Sequence, residues 1–221
     1  MIPTGKDIAY IPDVSSLFTK ATDLEKQELV FSSQIKGLDY VMTNVAIVYH
    51  SGFGHTRALA ESVATGARSA GAEVDLIPVA EAEARAAQLD AADAIVFGSP
   101  TYMGGVSADF ATFKDWTSGR WMEGRWRNKL AAGFTVSASW NGDKHNTLYQ
   151  LLTLAVQHGM VWVGLGLPPG NNSSKGSVED LNRVGASVGA MAQAHADQGV
   201  EGIAASDFRT FEALGRRIAE A

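Results

Sequence analysis

From Val45 onward, apolar runs of strand length alternate with longer amphipathic or alanine-rich segments. The runs are VAIVY (45–49), VDLIPV (74–79), AIVFG (94–98), LAAGFTV (130–136) and MVWVGLG (160–166). Most are continuous rather than alternating, which is the pattern of strands buried on both faces of a parallel sheet. Between them lie RALAESVATGARSAG (57–71), an Ala-rich stretch near 81–89, ADFATFKDWTSG (108–119) and NTLYQLLTLAVQHG (146–159). In the last of these, Leu148, Leu151, Leu152 and Ala155 fall on one helical face and Gly159 provides a stop. Strand and helix alternate throughout. Such a chain makes right-handed crossovers and closes into an open, doubly wound α/β sheet, here with five parallel strands in the order 2-1-3-4-5.

At the far end, Ser206 is a candidate cap for a helix that carries Phe208, Phe211, Leu214 and Ile218 on one side. The stretch 177–197 is not assigned, because its glycines cost helix stability. Residues 1–41 fall outside the alternation and carry no catalytic motif; TDLEKQELVFSSQIKGL (22–38) has helical spacing only in part. The expected division is an N-terminal extension, 1–41, serving as an arm or a non-native remnant, and one domain, 42–221.

Composition narrows the chemistry. The chain of 221 residues has a net charge of -6, and it stays net acidic without residues 1–41. That is opposite to the basic footprint of a nucleic-acid binder. With no cysteine, thiolate nucleophiles and Cys-ligated metals are excluded, and redox chemistry has to come from a bound cofactor. His50, His145 and His195 lack metal-ligand spacing, so no metal is expected. MIPTGKDIAY has no basic region followed by an apolar core, and no run has membrane-spanning length. A soluble cytoplasmic protein with no membrane partner is the expectation.

The loop after the first strand, HSGFGHT (50–56), joins a strand to a helix N-terminus. Such a junction presents unpaired N–H groups with the helix dipole behind them, and so favours an anion. Gly52 and Gly54 allow close backbone approach, and Ser51 and Thr56 add hydroxyls. GxxxxGK[ST] and GxGxxG are both missing, so a single phosphate suits the loop better than two or three. A helix cap with no ligand would use the same residues. GSPTYMGG (98–105) follows the third strand, at the end of the sheet where open α/β folds bind ligands. There Thr101, Tyr102 and Met103 offer a hydroxyl, a ring and a polarizable chain to a flat heterocycle.

Taken in order, VYHSGFGHTRALAESVATGA, VFGSPTYMGGVSADFATFKDWTSGRW, KLAAGF and LLTLAVQHGMVWVGLG resemble the flavodoxin-like NAD(P)H:quinone oxidoreductases of the WrbA type and related NADPH-dependent FMN reductases. The resemblance runs from about residue 44 to 166 and returns more weakly in NRVGASVGAMAQ and FEALGRRIAEA. It implies a flavodoxin-like three-layer α/β/α fold, bound FMN, and NADH or NADPH as electron donor. By position, Ser51, Gly52, Phe53, Gly54, His55 and Thr56 become the phosphate loop. Pro100, Thr101, Tyr102, Met103 and Gly104 become the wall of the flavin ring. Ser137, Ser139, Asn141 and Gly142 fall in a third flavin loop, where Ala138 and Trp140 depart from the family pattern and Trp140 is an alternative wall. His158 matches a flavin-contacting histidine. Phe53 and Trp121 match substrate-face aromatics, although RWMEGRW could equally be a loop pinned by two aromatics. The resemblance also implies a homo-oligomer, dimer or tetramer, with active sites completed across subunits. GASVGAMAQ stands for the family's Gly-rich loop before the last helix.

Three functions fit these residues. The first is an FMN-dependent oxidoreductase that passes two electrons by a ping-pong route from NAD(P)H to a quinone or similar small acceptor. The second is a one-electron flavodoxin carrier, and the third a non-enzymatic FMN-binding interaction module. No side chain is expected to act as a catalytic acid, base or nucleophile, because the flavin carries the chemistry. Four aromatics, Phe53, Tyr102, Trp121 and Trp140, suit a small flat substrate if they converge.

Overall fold

The computed structural model describes residues 43–221; the extension assigned to 1–41 lies outside the described residues. Five strand positions form the sheet. β1 (Asn44–Tyr49) pairs in parallel with β2 (Glu73–Pro78) on one side and β3 (Ala94–Tyr102) on the other. Next to β3 lies β5 (Leu130–Ser137), also parallel, and the short β4 (Gly105–Val106) folds back against the end of β3. The flavodoxin-like order 2-1-3-4-5 is present, with one difference in how its fifth position is filled.

That position is shared. β6 (Val161–Trp162) pairs with Leu130 and Ala131, and β7 (Ala190–Gln193) pairs with Phe134 to Ser137. Residues 163–189 leave the edge between the two pieces, so MVWVGLG contributes two strand residues rather than seven. Two neighbouring features account for the break. Gly164 lies against the backbone, where a Cβ would come within 2.9 Å of the Ser187 carbonyl, and Gly166 has φ +72°. AMAQ, expected to be a loop before the last helix, is strand β7, with Ala190 and Ala192 turned into the core.

Helices cover both faces. α1 (His55–Ser69) and α6 (Ala205–Glu220) pack on one, where Leu59, Val63, Phe211, Leu214 and Ile218 meet Val45, Ile47 and Phe134. On the other face lie α2 (Ala86–Ala91), α3 (Ala108–Trp116) and α5 (Lys144–Gln157), which bury Leu89, Phe110, Phe113, Leu148 and Leu151 against Ala46, Val48 and Phe97. The Ala-rich stretch near 81–89 makes only a 3-10 turn (Val79–Glu81) and the six-residue α2. α3 is followed by the short α4 (Ser118–Met122). α6 starts two residues earlier than Ser206 predicts. Its cap is Ala204, and Ser206 is fully buried inside the helix, donating to the Val178 carbonyl at 2.7 Å. The hydroxyl thus ties α6 to the 163–189 insertion instead of capping the helix. Among the described residues no helix is long and apolar enough to cross a membrane.

Candidate functional site

A cavity of about 410 Å³ opens at the C-terminal ends of β1, β3 and β5. Parallel strands bring their loops to one end of the sheet, and three loops meet there. The loop 50–54 contributes Phe53 and is followed by His55 and Thr56 of α1; β3 supplies Pro100, Thr101 and Tyr102; β5 supplies Val136, Ser137 and then Ala138. The size lies within the roughly 300–1,000 Å³ of small-molecule and cofactor sites.

The first loop is built to present its backbone. Ser51 Oγ accepts the N–H groups of Gly54 and Arg57, at 3.1 and 3.2 Å, and fixes the turn. Gly54 caps α1 at φ 91°, a left-handed conformation that favours glycine, with no side-chain cap. The first N–H groups of α1, on His55 and Thr56, have no intrahelical acceptor, and no hydrogen bond among the described residues occupies them. Gly52 sits beneath the second loop: a Cβ there would come within 2.5 Å of Tyr102 Oη. Burial raises the Tyr102 pKa, opposed by the Gly52 N–H and aided by Asp109, so the phenol stays protonated at neutral pH.

The remaining expected residues divide. Met103 (φ 47°) and Gly104 (φ 80°) form a left-handed pair at the tip of the second loop, and Met103 is fully exposed. The Gly104 carbonyl accepts from Asn146 Nδ2 at 2.6 Å. The Thr101 hydroxyl is held between Thr135 Oγ1 (2.8 Å) and Thr147 Oγ1 (2.7 Å), so it braces the core beneath the cavity that Thr101 lines. In the third loop Ser137 lines the cavity, whereas Ser139, Asn141, Gly142 and Trp140 do not. Asn141 Oδ1 instead accepts the Asp143 N–H, and Trp140 faces the Arg183 guanidinium, 4.9 Å from its ring centroid.

His158 and Trp121 are not brought to this cavity. α5 starts beside the cavity and runs back along the sheet, so His158 emerges near the start of β5, where the Gly159 carbonyl accepts the Asn128 N–H. At ~3.3 Å per residue, the length of β5 separates that end from the cavity by roughly 25 Å. His158 is buried, bonded through Nε2 to Thr117 Oγ1 (2.9 Å) and stacked 4.5 Å from Trp126. Desolvation lowers its pKa, and Nδ1 has no partner. Trp121 is 55% exposed and borders a small cleft of about 190 Å³ with Thr117, Leu154 and His158.

Sequence reasoning missed the fourth side of the cavity, formed by Ala194, Ala196 and Gln198 after β7. His55 Nε2 donates to the carbonyls of Gln198 (3.1 Å) and Gly199 (3.0 Å), latching this segment over the first loop. Alanine at every second residue from Ala190 to Ala196 was the available signal, since a period of two marks a strand.

A family model described as NADPH-dependent FMN reductase matches residues 45–171. The chain belongs to that family. It is 44% identical over 181 residues to flavodoxin FldP of Pseudomonas aeruginosa, covering 80% of this chain and 96% of the relative. To an NAD(P)H dehydrogenase (quinone) of Gluconacetobacter diazotrophicus it is 37% identical over 142 residues, 56% of this chain and 71% of the relative. Among solved structures, a flavodoxin, WrbA-like protein from Agrobacterium tumefaciens superposes with a TM-score of 0.64 at 41% identity, covering 80% of this chain and 96% of that one. Membership in the family implies FMN. The residues present fit it: the cavity has an anion-ready helix N-terminus at one end and a wall made by Pro100, Thr101 and Tyr102.

Proposed function

We propose that the chain is an FMN-dependent NAD(P)H oxidoreductase that passes two electrons to a quinone or similar small acceptor by a ping-pong route. The observation that carries this reading is the cavity mouth. Phe53 (78% exposed) lines it and meets Tyr102 edge-on at 6.3 Å between centroids. An open aromatic rim suits flat rings that enter and leave in turn.

Bound FMN supplies the hydride-accepting and hydride-donating chemistry. The chain's residues bind and orient. The N–H groups of His55 and Thr56 receive the phosphate, with the α1 dipole behind them. The His55 latch keeps residues 198–199 over that loop. Phe53 and Tyr102 border the open side of the cavity, where nicotinamide and then the acceptor would enter. A second copy of the chain supplies Trp121 and His158, which one protomer cannot bring to its own cavity.

The relative named a flavodoxin favours a second reading, a one-electron carrier, because it is matched over 96% of its length. Anaerobic addition of NADPH or NADH to the purified flavoprotein separates the two. The oxidoreductase loses its flavin absorbance without a partner protein and recovers it with benzoquinone, giving parallel double-reciprocal lines. Flavin left oxidised by both nicotinamides but bleached by dithionite would assign the chain to the carriers.

A further inference from the structure

Lys144 is the first residue of α5 and is fully buried. Both features cost free energy: burial strips water from the ammonium, and a helix N-terminus is the positive end of the dipole. Its contacts offset this. Nζ donates to Ser137 Oγ at 3.0 Å, to the Ser139 carbonyl at 2.7 Å and to the Trp140 carbonyl at 2.8 Å. All three acceptors belong to the loop whose first residues, Ser137 and Ala138, line the cavity. In a trans peptide the C=O and the following N–H point in opposite directions. Two carbonyls turned toward the ammonium therefore turn the N–H groups of Trp140 and Asn141 away from it, and no acceptor among the described residues takes either.

The opposite side of the loop is braced as well. Gln193 Nε2 donates to the Ala138 carbonyl at 3.1 Å, and the Gln193 N–H donates to Asp207 Oδ2. Asp207 forms a bidentate pair with Arg183, whose guanidinium faces Trp140. This bracing holds β7 and the loop together without reaching the Ser139 and Trp140 carbonyls. The Ser139 carbonyl also accepts from Ser137 Oγ at 3.1 Å, a hydroxyl that Lys144 itself holds, while the Trp140 carbonyl has Lys144 as its one donor among the described residues.

We propose that Lys144 is a positioning residue for flavin binding: by gathering the Ser137 hydroxyl and the Ser139 and Trp140 carbonyls it fixes the loop whose first residues, Ser137 and Ala138, wall the cavity. The inference rests on FMN as the ligand of the cavity. The groups facing the ammonium set its titration. Desolvation lowers its pKa to about 8, partly opposed by Asp207 on α6, while Arg183 on the insertion lowers it further. Above that pH the amine becomes neutral and its hold on the carbonyls weakens.

The sign of the linkage separates positioning from a merely structural role. A lysine whose folded-state pKa is depressed costs stability below about pH 8, and the cost disappears as pH rises toward the unfolded value. On this group alone, apoprotein stability rises between pH 8 and 10 while FMN affinity falls. The test uses Lys144→Met in the full chain, with FMN affinity read from quenching of flavin fluorescence between pH 7 and 9.5. Amide exchange of residues 137–143 in the apoprotein is read alongside. The parent should lose affinity roughly tenfold across that range. K144M should bind at least tenfold more weakly at pH 7, show no such pH dependence, keep or raise its thermal midpoint, and exchange faster in the loop only. Parent-like affinity and loop protection in K144M overturn the proposal. If K144M does not fold, the parent series decides, and constant affinity from pH 7 to 9.5 overturns it. A parent that takes up no FMN defeats the FMN reading instead, while loop exchange still reports on Lys144.

Discussion

Arg183 and Asp207 are almost fully buried, at 7% and 1% side-chain exposure, and lie 2.8 and 2.7 Å apart in a two-pronged pair. Breaking such a pair from one side leaves an uncompensated charge in the interior, which costs about 3–5 kcal/mol. Arg183→Met should therefore lower the urea-unfolding free energy by about that amount, and the double change with Asp207→Leu should recover most of it. What the double variant does not recover is the Gln193 N–H bond, about 1 kcal/mol. Equal losses in single and double variants would show that packing, not charge, accounts for the effect. These residues, like Lys144, gave no sign in the sequence. GDKH only precedes the expected helix at 146–159 and LNRVG falls in the unassigned stretch 177–197, because a buried ion pair depends on partners distant in the chain. The loop 50–56 and its helix start were legible for the opposite reason: the glycines, hydroxyls and first helical residues are consecutive.

α1 and α6 show how closely two elements can be bound through glycine. A Cβ on Gly66 would lie 1.9 Å from the Glu212 carbonyl oxygen, and one on Gly215 would lie 1.9 Å from that of Val63. The helices therefore touch backbone to backbone, and neither atom can swing aside as a side chain end would. Gly215→Ala gains about 1 kcal/mol of helix propensity. It should nevertheless destabilise the protein by about 1–3 kcal/mol, because the helices must separate against a packed core. Thermal unfolding checks the sign, and a stabilised G215A would contradict the backbone contact. At this scale, four of the five strand positions read well, including β2, whose run VDLIPV is interrupted by Asp75. The fifth position read poorly because its hydrophobic run, MVWVGLG, exceeds its hydrogen-bonded part. Strand pairing is a property of two segments, and the partner of Phe134 to Ser137 lies past residues 163–189.

At the scale of the whole sheet there are two ends, and the site residues inferred from the family resemblance are divided between them. Cavity and phosphate loop lie at the C-terminal end of the sheet, and His158, Trp126 and the exposed Trp121 at the other. A sequence can show that both sets exist, but their separation follows from α3 and α5 each running back along the sheet. If a second copy completes the cavity, the two defects should complement. Gly54→Glu places a carboxylate at the proposed phosphate site, so that subunit should lose its own flavin yet keep Trp121. Trp121→Ala keeps the phosphate loop and its FMN affinity but lacks the ring, and quinone turnover should fall about tenfold or more, as expected for a lost positioning contact. Co-expressed and purified as a mixed assembly through two different tags, the pair should turn over quinone several-fold faster than either variant alone, because a W121A flavin then meets an intact Trp121 from its G54E neighbour. Sedimentation of the parent at assay concentration provides the second reading. A monomer with full turnover, or mixtures no better than the weighted mean of the two variants, would confine the reaction to one chain and leave Trp121 as a surface residue.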